Sequence, residues 1–201
     1  MIFLIELSPK HEHILCAAIG EFAEKGLLGT KMESVAKRAE VSKRTLYKYY
    51  ESKEVLFDEV VCNLLQRINQ FEQHNYTETL PLLTQLKQVA ESVIQLHCDE
   101  DFLRLSRIVI IESMRSEVQA RHIHEKFSVC EQGLKSWISQ AAEAGALGNA
   151  DPEFISAVFY GTLKKVSYWD QAIKWQQPID KKQQQKTIDE LCLMISNYIE
   201  L

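Results

Sequence analysis

A chain of 201 residues with 46% hydrophobic and 25% charged residues is long enough to bury a core as one large domain or two small ones. Five dispersed cysteines (Cys16, Cys62, Cys98, Cys130 and Cys192) without CxxC or Cys/His spacing exclude a zinc module and a disulfide framework, so no metal or cofactor is expected. The net charge of −5 conceals a basic segment: from Lys25 to Lys53 eight Lys/Arg face three Glu, a local +5 on a body carrying −10.

Glycine and proline are scarce, no glycine falls between Gly29 and Gly133, and the four prolines stand where helices could begin. The apolar run Met1–Ile5 is too short for a secretion signal and lacks a basic leader. No run approaches the roughly 20 apolar residues of a membrane helix, so a cytoplasmic location is expected. Ser8-Pro9 opens a helix with Ile14, Leu15, Ala18, Ile19, Phe22 and Ala23 on its apolar face, and Gly26 is its expected stop. Thr30 followed by Glu33 reads as a capping box for a second helix carrying Met32, Val35, Ala36 and Ala39. After the turn Glu40-Val41-Ser42, a third helix runs from a Ser42 cap through Tyr49. Ser52 starts a fourth, with Val55, Leu56, Val60, Leu64, Leu65, Ile68 and Phe71 at helical spacing. Beyond a polar break at 73–79, helices are expected near 80–97, 100–114, 116–144, 151–174 and 179–200. Alternating strand patterns are absent, which makes the chain all-α with about nine helices.

The second and third helices could lock together through Val35, Ala36, Val41 and Leu46, leaving the start of the third free to enter a DNA major groove. Lys43 and Arg44 can donate to guanine O6 and N7, and Thr45 can meet phosphate or a thymine methyl. Lys48, Lys53 and the start of the Thr30 helix, with Lys31, suit phosphate contact, as does the Ser42–Thr45 turn. Tyr47 and Tyr49 could support the helix or bond the backbone, while Tyr47 and Tyr50 could equally be core.

The segment LLGTKMESVAKRAEVSKRTLYKYYESKEVLF closely resembles the N-terminal DNA-binding region of TetR/AcrR transcriptional regulators, with the resemblance covering about residues 9–60. It implies a three-helix helix-turn-helix domain over 1–53, then a helical effector-binding and dimerisation domain over 54–201. It also implies a homodimer on a near-palindromic double-stranded operator, with repression lifted by a small-molecule effector. In this pattern Lys43 and Arg44 are base readers, and Thr30, Thr45, Tyr49 and Lys53 touch phosphate. The family usually has glycine where this chain has Glu40. A non-glycine residue in the left-handed conformation costs on the order of 1 kcal/mol, which a folded domain absorbs.

FLRLSRIVIIESM and VFYGTLKKVSYWDQAI are similar to the effector domains of AefR-type repressors. The resemblance implies a four-helix dimer interface, with Phe154, Ile155, Val158, Phe159 and Thr162 from one helix and Ile188, Leu191, Met194, Ile195 and Ile199 from the last. The competing reading is packing within one subunit. His97, Phe102, Arg107, Glu112, Trp137, Tyr160 and Trp169 are the candidate lining of an effector cavity suited to an apolar or aromatic molecule, although aromatics at helical spacing also build cores. Glu112, inside an apolar run, needs a partner such as Arg107 or Arg115.

A cysteine-based redox-responsive regulator, switched through Cys16 or Cys62, is the alternative. His11-Glu-His13 and His122-Ile-His124 do not make an enzyme, because neighbouring rings in His-x-His diverge on a helix. HExxH, GxSxG and phosphate-binding glycine loops are also absent.

Overall fold

The computed structural model describes residues 8–71, 74–130 and 132–200. The Met1–Ile5 run and the side chains of Phe71 and Cys130 lie outside the described residues. The described residues form helices and turns, with no strand among them. In chain order the helices are α1 (Pro9–Gly29), α2 (Met32–Arg38), α3 (Lys43–Tyr49), α4 (Lys53–Phe71), α5 (Leu82–His97) and α6 (Glu100–Arg115). They continue as α7 (Glu117–Cys130), α8 (Gln132–Glu143), α9 (Pro152–Ser167), α10 (Trp169–Lys174) and α11 (Lys181–Ile199). No described helix is long and apolar enough to cross a membrane.

Local chemistry explains most of these boundaries. Pro9 occupies the first turn of α1, where its missing N–H costs nothing, and Ser8 accepts from His11 N. Asp151 accepts from Glu153 N at 3.0 Å to start α9, and Asp180 accepts from Gln183 N at 2.8 Å to start α11. Pro178 therefore lies ahead of the last helix and does not open it. The expected helix at 151–174 is interrupted at Tyr168 (φ −116°, ψ −56°).

The expected capping box at Thr30 does not form. Lys31 is the residue preceding α2 and makes no side-chain cap. Thr30 instead faces back, its hydroxyl donating to Gly26 O at 2.7 Å and Glu21 O at 3.2 Å. The reason lies one turn earlier. Gly26 adopts φ 68° and ψ 174°, which bends α1 and leaves carbonyls that Thr30 can reach.

The helices gather into two compact units, Met1–Leu64 with Arg104–Lys126, and Leu65–Leu103 with Phe127–Leu201. This division differs from the boundary at 53/54 read from the sequence, because α6 from Arg104 onward and most of α7 pack with the N-terminal helices. In the first unit Ile14, Ala18, Val35, Leu46, Leu56, Phe57, Val60 and Val61 are fully buried, and the Phe22 ring meets Phe57 edge-on at 5.6 Å. Glu112 belongs to this unit. Its buried carboxylate accepts from Leu27 N at 2.9 Å and pairs with Arg115 at 3.0 Å, while Asp58 joins α4 to α7 through His122 and Lys126.

The second unit is built around α9, packed against α5, α8, α10 and α11. Ile155, Phe159, Ile188, Leu191 and Ile195, expected at a dimer interface, are buried in this subunit's own core with Leu86, Ile94, Trp137 and Leu163. Their spacing marks the inward stripe of α9 and α11. Phe154 and Met194 remain about half exposed, and Val158, Thr162 and Ile199 are partly buried.

A methyl at Gly26 would stand 2.5 Å from Arg115 Nη1 and 3.0 Å from Glu112 Oε1, on a backbone conformation that side chains resist. Gly26→Ala should therefore cost about 2–4 kcal/mol in urea unfolding. An unchanged midpoint would contradict the bend described here.

Candidate nucleic-acid interface

The helix pair α2–α3 is held by a small apolar core. Val35, Ala36 and Leu46 are buried and Val41 half-buried between them, with Val41 N donating to Ala36 O at 3.0 Å. Glu40 carries φ 53°, so the turn does require a left-handed residue and this chain supplies one without glycine. Ser42 caps α3 by accepting from Thr45 N at 3.0 Å, and its hydroxyl also meets Thr45 Oγ1 at 2.8 Å.

These bonds fix one face of α3 inward and turn the other to solvent. Ser42, Lys43, Arg44, Tyr47, Lys48 and Tyr49 are exposed, and Thr45 is half-buried. Tyr50 is the core tyrosine: burial, then the charge of Glu59, pushes its phenol well above the ordinary range. It is hydrogen-bonded to His11, whose ring stands 5.4 Å from Tyr49 and 5.2 Å from Tyr50. His11 thus secures the end of α3 from α1, and no local signal links residues 39 positions apart.

The basic segment is less free than its count suggests. Lys25 pairs with Glu21, Arg38 with Glu21 and Glu24, and Lys43 with Glu33. Glu21, buried among them, has its carboxyl held below the usual range, first by Lys25 and then by Ser34. Lys53, expected on phosphate, donates to Leu27 O at 2.9 Å and Leu28 O at 3.1 Å. Thr30 is buried with its hydroxyl already bonded. Lys31, Lys37, Arg44 and Lys48 are exposed and outside any ion pair among the described residues.

This arrangement is shared with known proteins. Residues 14–60 match the family described as bacterial regulatory proteins, tetR family, and residues 84–197 match the AefR-like transcriptional repressor C-terminal domain. The chain belongs to the TetR family of DNA-binding transcriptional regulators. The uncharacterised HTH-type transcriptional regulator YhgD of Bacillus subtilis (strain 168) is 27% identical over 175 residues, covering 84% of this chain and 87% of that protein. A TetR family regulator from Pseudomonas syringae pv. tomato str. DC3000 is 29% identical in its crystal structure, with a TM-score of 0.82 over 95% of this chain and 96% of that one. AibR, solved in complex with isovaleryl coenzyme A and operator DNA, shares the fold at 17% identity, with a TM-score of 0.61 over 92% and 97% of the two chains.

In this TetR-family chain the residues named for an effector cavity are divided between the two units. His97 and Phe102 stand together with rings 6.1 Å apart, joined by Tyr168 at 5.2 Å from His97 and 5.6 Å from Phe102. Ser167 donates to Leu163 O at 2.8 Å, so its oxygen must accept from His97 Nδ1 at 2.7 Å. Gln171 donates to His97 O at 3.1 Å. Tyr168, Ser167 and Gln171 were missed because the sequence shows them only as part of a helical run. Trp137 packs instead against Tyr76 at 6.0 Å, Tyr160 against Phe159 at 5.1 Å, and Trp169 is partly exposed. Arg107 is half-buried and Glu112 faces the Leu27 corner, both in the first unit.

Among the described residues no His, Cys, Asp and Glu gather in a metal-binding group. Burial pushes the Cys98 thiol up and the Cys192 thiol up to about 12, so neither supplies a thiolate. Cys16 is exposed and lines an open cleft of about 580 Å³ with Lys10, His13, Arg38 and Val41, while Cys62 is half-buried.

His97 has a pH consequence. Burial, then the charge of Lys164, lowers its pKa from 6.5 to about 3. Below pH 6.5 the unfolded chain binds a proton that the folded chain refuses. Its contribution is thus constant above 6.5 and lost as pH falls toward 3, at about 1.4 kcal/mol per pH unit within that window. His97→Gln should flatten the acid limb of stability against pH between 6 and 4, read from urea midpoints. Equal slopes would show that His97 is already charged in the fold.

Proposed function

We propose that this protein is a ligand-responsive repressor that binds a near-palindromic operator as a homodimer and is released by a small molecule. The observation that carries the reading is the split of α3 into a buried side, held by Leu46 and the α2 core, and an exposed side carrying Lys43, Arg44, Tyr47 and Lys48. A helix fixed on one side and cationic on the other at its start is suited to a major groove. Arg44 serves as the principal base reader, Lys43 joins it, and Thr45, Tyr47, Tyr49, Lys48 and Lys31 position the backbone. Thr30 and Lys53 act indirectly, by shaping the corner from which α2 starts. The acidic remainder of the chain suppresses non-specific contact elsewhere. The protein works by binding and not by turnover.

The dimer is supported by the outward faces of α9 and α11. Phe154 and Tyr198 are exposed with rings 5.7 Å apart, Leu193 and Met194 are exposed on the same final helix, and a Cβ on Gly161 would meet only open space. Such a face on otherwise charged helices suits a second copy of the chain. The effector is of apolar or aromatic character, and the His97–Phe102–Tyr168 cluster is the place we assign to it. The complex of AibR with a coenzyme A thioester and operator DNA supports an effector and an operator acting on one such fold.

Selection from a randomised duplex pool at physiological salt should enrich a near-palindrome, and Lys43→Ala/Arg44→Ala should abolish the enrichment. Retention of that sequence by the double variant would remove α3 from the reading role. For the dimer, Met194→Glu with Tyr198→Glu should halve the mass in sedimentation while the helical signal stays unchanged. A dimer that survives both charges must use another face.

A further inference from the structure

The ammonium of Lys43, on α3, is paired with the carboxylate of Glu33, in the first turn of α2. The same ammonium lies 5.8 Å from the centre of the Tyr47 ring. Both partners of the pair are more than half exposed, at 57% and 58%. The pair lies in solvent, so a duplex can reach the ammonium while Glu33 stays on it. Pairing holds the Glu33 carboxyl below the usual range and the Lys43 ammonium above it, so both stay charged at neutral pH.

We infer that Glu33 is a specificity-determining residue, which offsets the Lys43 charge toward phosphate and leaves the remaining N–H groups of the ammonium to a base edge of the operator. This rests on the reading of α3 as the DNA-contacting helix. Non-specific binding draws its free energy from phosphate neutralisation by mobile cations, so a lysine already neutralised by its own carboxylate adds nothing to it. A guanine edge offers two acceptors at a fixed position, and phosphate contacts elsewhere hold the helix against it. There the ammonium keeps Glu33 on one N–H and donates its remaining N–H groups to the base, so no pair is broken. Arg44 and Lys48, exposed and outside such pairs among the described residues, supply the general attraction. The Glu33 charge thus subtracts more from wrong sequences than from the right one, which is how a repulsive element generates discrimination.

The test compares the selected operator duplex with a scrambled duplex of equal length, by fluorescence anisotropy over a range of salt concentrations. The full-length native chain, Glu33→Gln, Lys43→Ala and the double variant are measured side by side. Glu33→Gln should bind the scrambled duplex about three- to fivefold more tightly, with a salt slope steeper by about 0.9. Its operator affinity should change by less than about twofold, so the specificity ratio falls. In the Lys43→Ala background the same substitution should gain nothing. Equal tightening on both duplexes, or no tightening on the scrambled one, would overturn the inference. So would a gain that persists without Lys43, because Glu33 would then act as a general field. A loss of operator affinity in Glu33→Gln would make Glu33 a positioning residue and also overturn it. If the native chain itself does not prefer the operator, the reading of α3 fails first, before any variant is compared.

Discussion

The backbone from Gly26 to Thr30 is the corner on which the N-terminal unit depends. Gly26 O accepts from Thr30 N at 3.2 Å and from Thr30 Oγ1 at 2.7 Å, Leu27 N donates to Glu112, and Lys53 closes over the carbonyls of Leu27 and Leu28. A helix that stops inside a fold leaves carbonyls and N–H groups that water no longer reaches, and each needs a partner. Here the partners arrive from α4 and α6, one cationic and one anionic. Each is matched to the sign of the backbone group it meets. The conformation at Gly26 makes this geometry possible, and the start of α2 follows from it. Because α3 is packed on α2, the exposed side of the reading helix is set by a bend that lies more than a dozen residues earlier.

Charge in this unit is used mostly to hold it together. Glu21 is buried, yet it gathers Lys25 and Arg38, and Arg38 also reaches Glu24. The Arg38 guanidinium fills the space where a Cβ on Gly20 would fall, so the pair is packed as well as charged. Counting cations along the sequence overstates what a phosphate would meet, because structural partners come from distant positions. The two chemistries remain separable by burial. Lys53 is spent on carbonyls inside the fold, whereas Lys43 is paired in solvent, where a competitor can reach it.

Much of the architecture was legible wherever a local rule operates. Ser8-Pro9, Ser42, Ser52 and Asp151 begin helices because a short side-chain oxygen or a proline satisfies the first turn within three residues. The left-handed conformation at Glu40 was implied by the resemblance, whose pattern has glycine there. Thr30 was misread because its spacing to Glu33 fits a capping box equally well, and only the bend at Gly26 decides which helix it serves. The exposed side of α3 followed from a seven-residue helix with one buried leucine. The pairings of Lys43 with Glu33 and of His11 with Tyr50 span 10 and 39 residues, and no periodicity encodes them. On α9 and α11 the helical period gave two apolar stripes without saying which faces inward. Ile155 and Phe154 are neighbours in sequence, yet one is core and the other is surface.

The same logic bears on what an effector could recognise. Three buried polar side chains of the second unit are bonded within the chain itself: Gln85 by Thr77 and Leu80, His97 by Ser167, and Gln171 by the carbonyls of His97 and Ser167. A polar ligand entering there would have to replace bonds that cost it as much as it gained. An apolar ring beside Phe102 and Tyr168 would exchange one dispersion contact for another. His97 then matters less as a donor than as the flat, neutral wall that burial keeps it. The depressed pKa expresses that state: a histidine that the fold has made chemically quiet. In the proposed effector site, shape set by the aromatic neighbours of His97 would supply the selectivity.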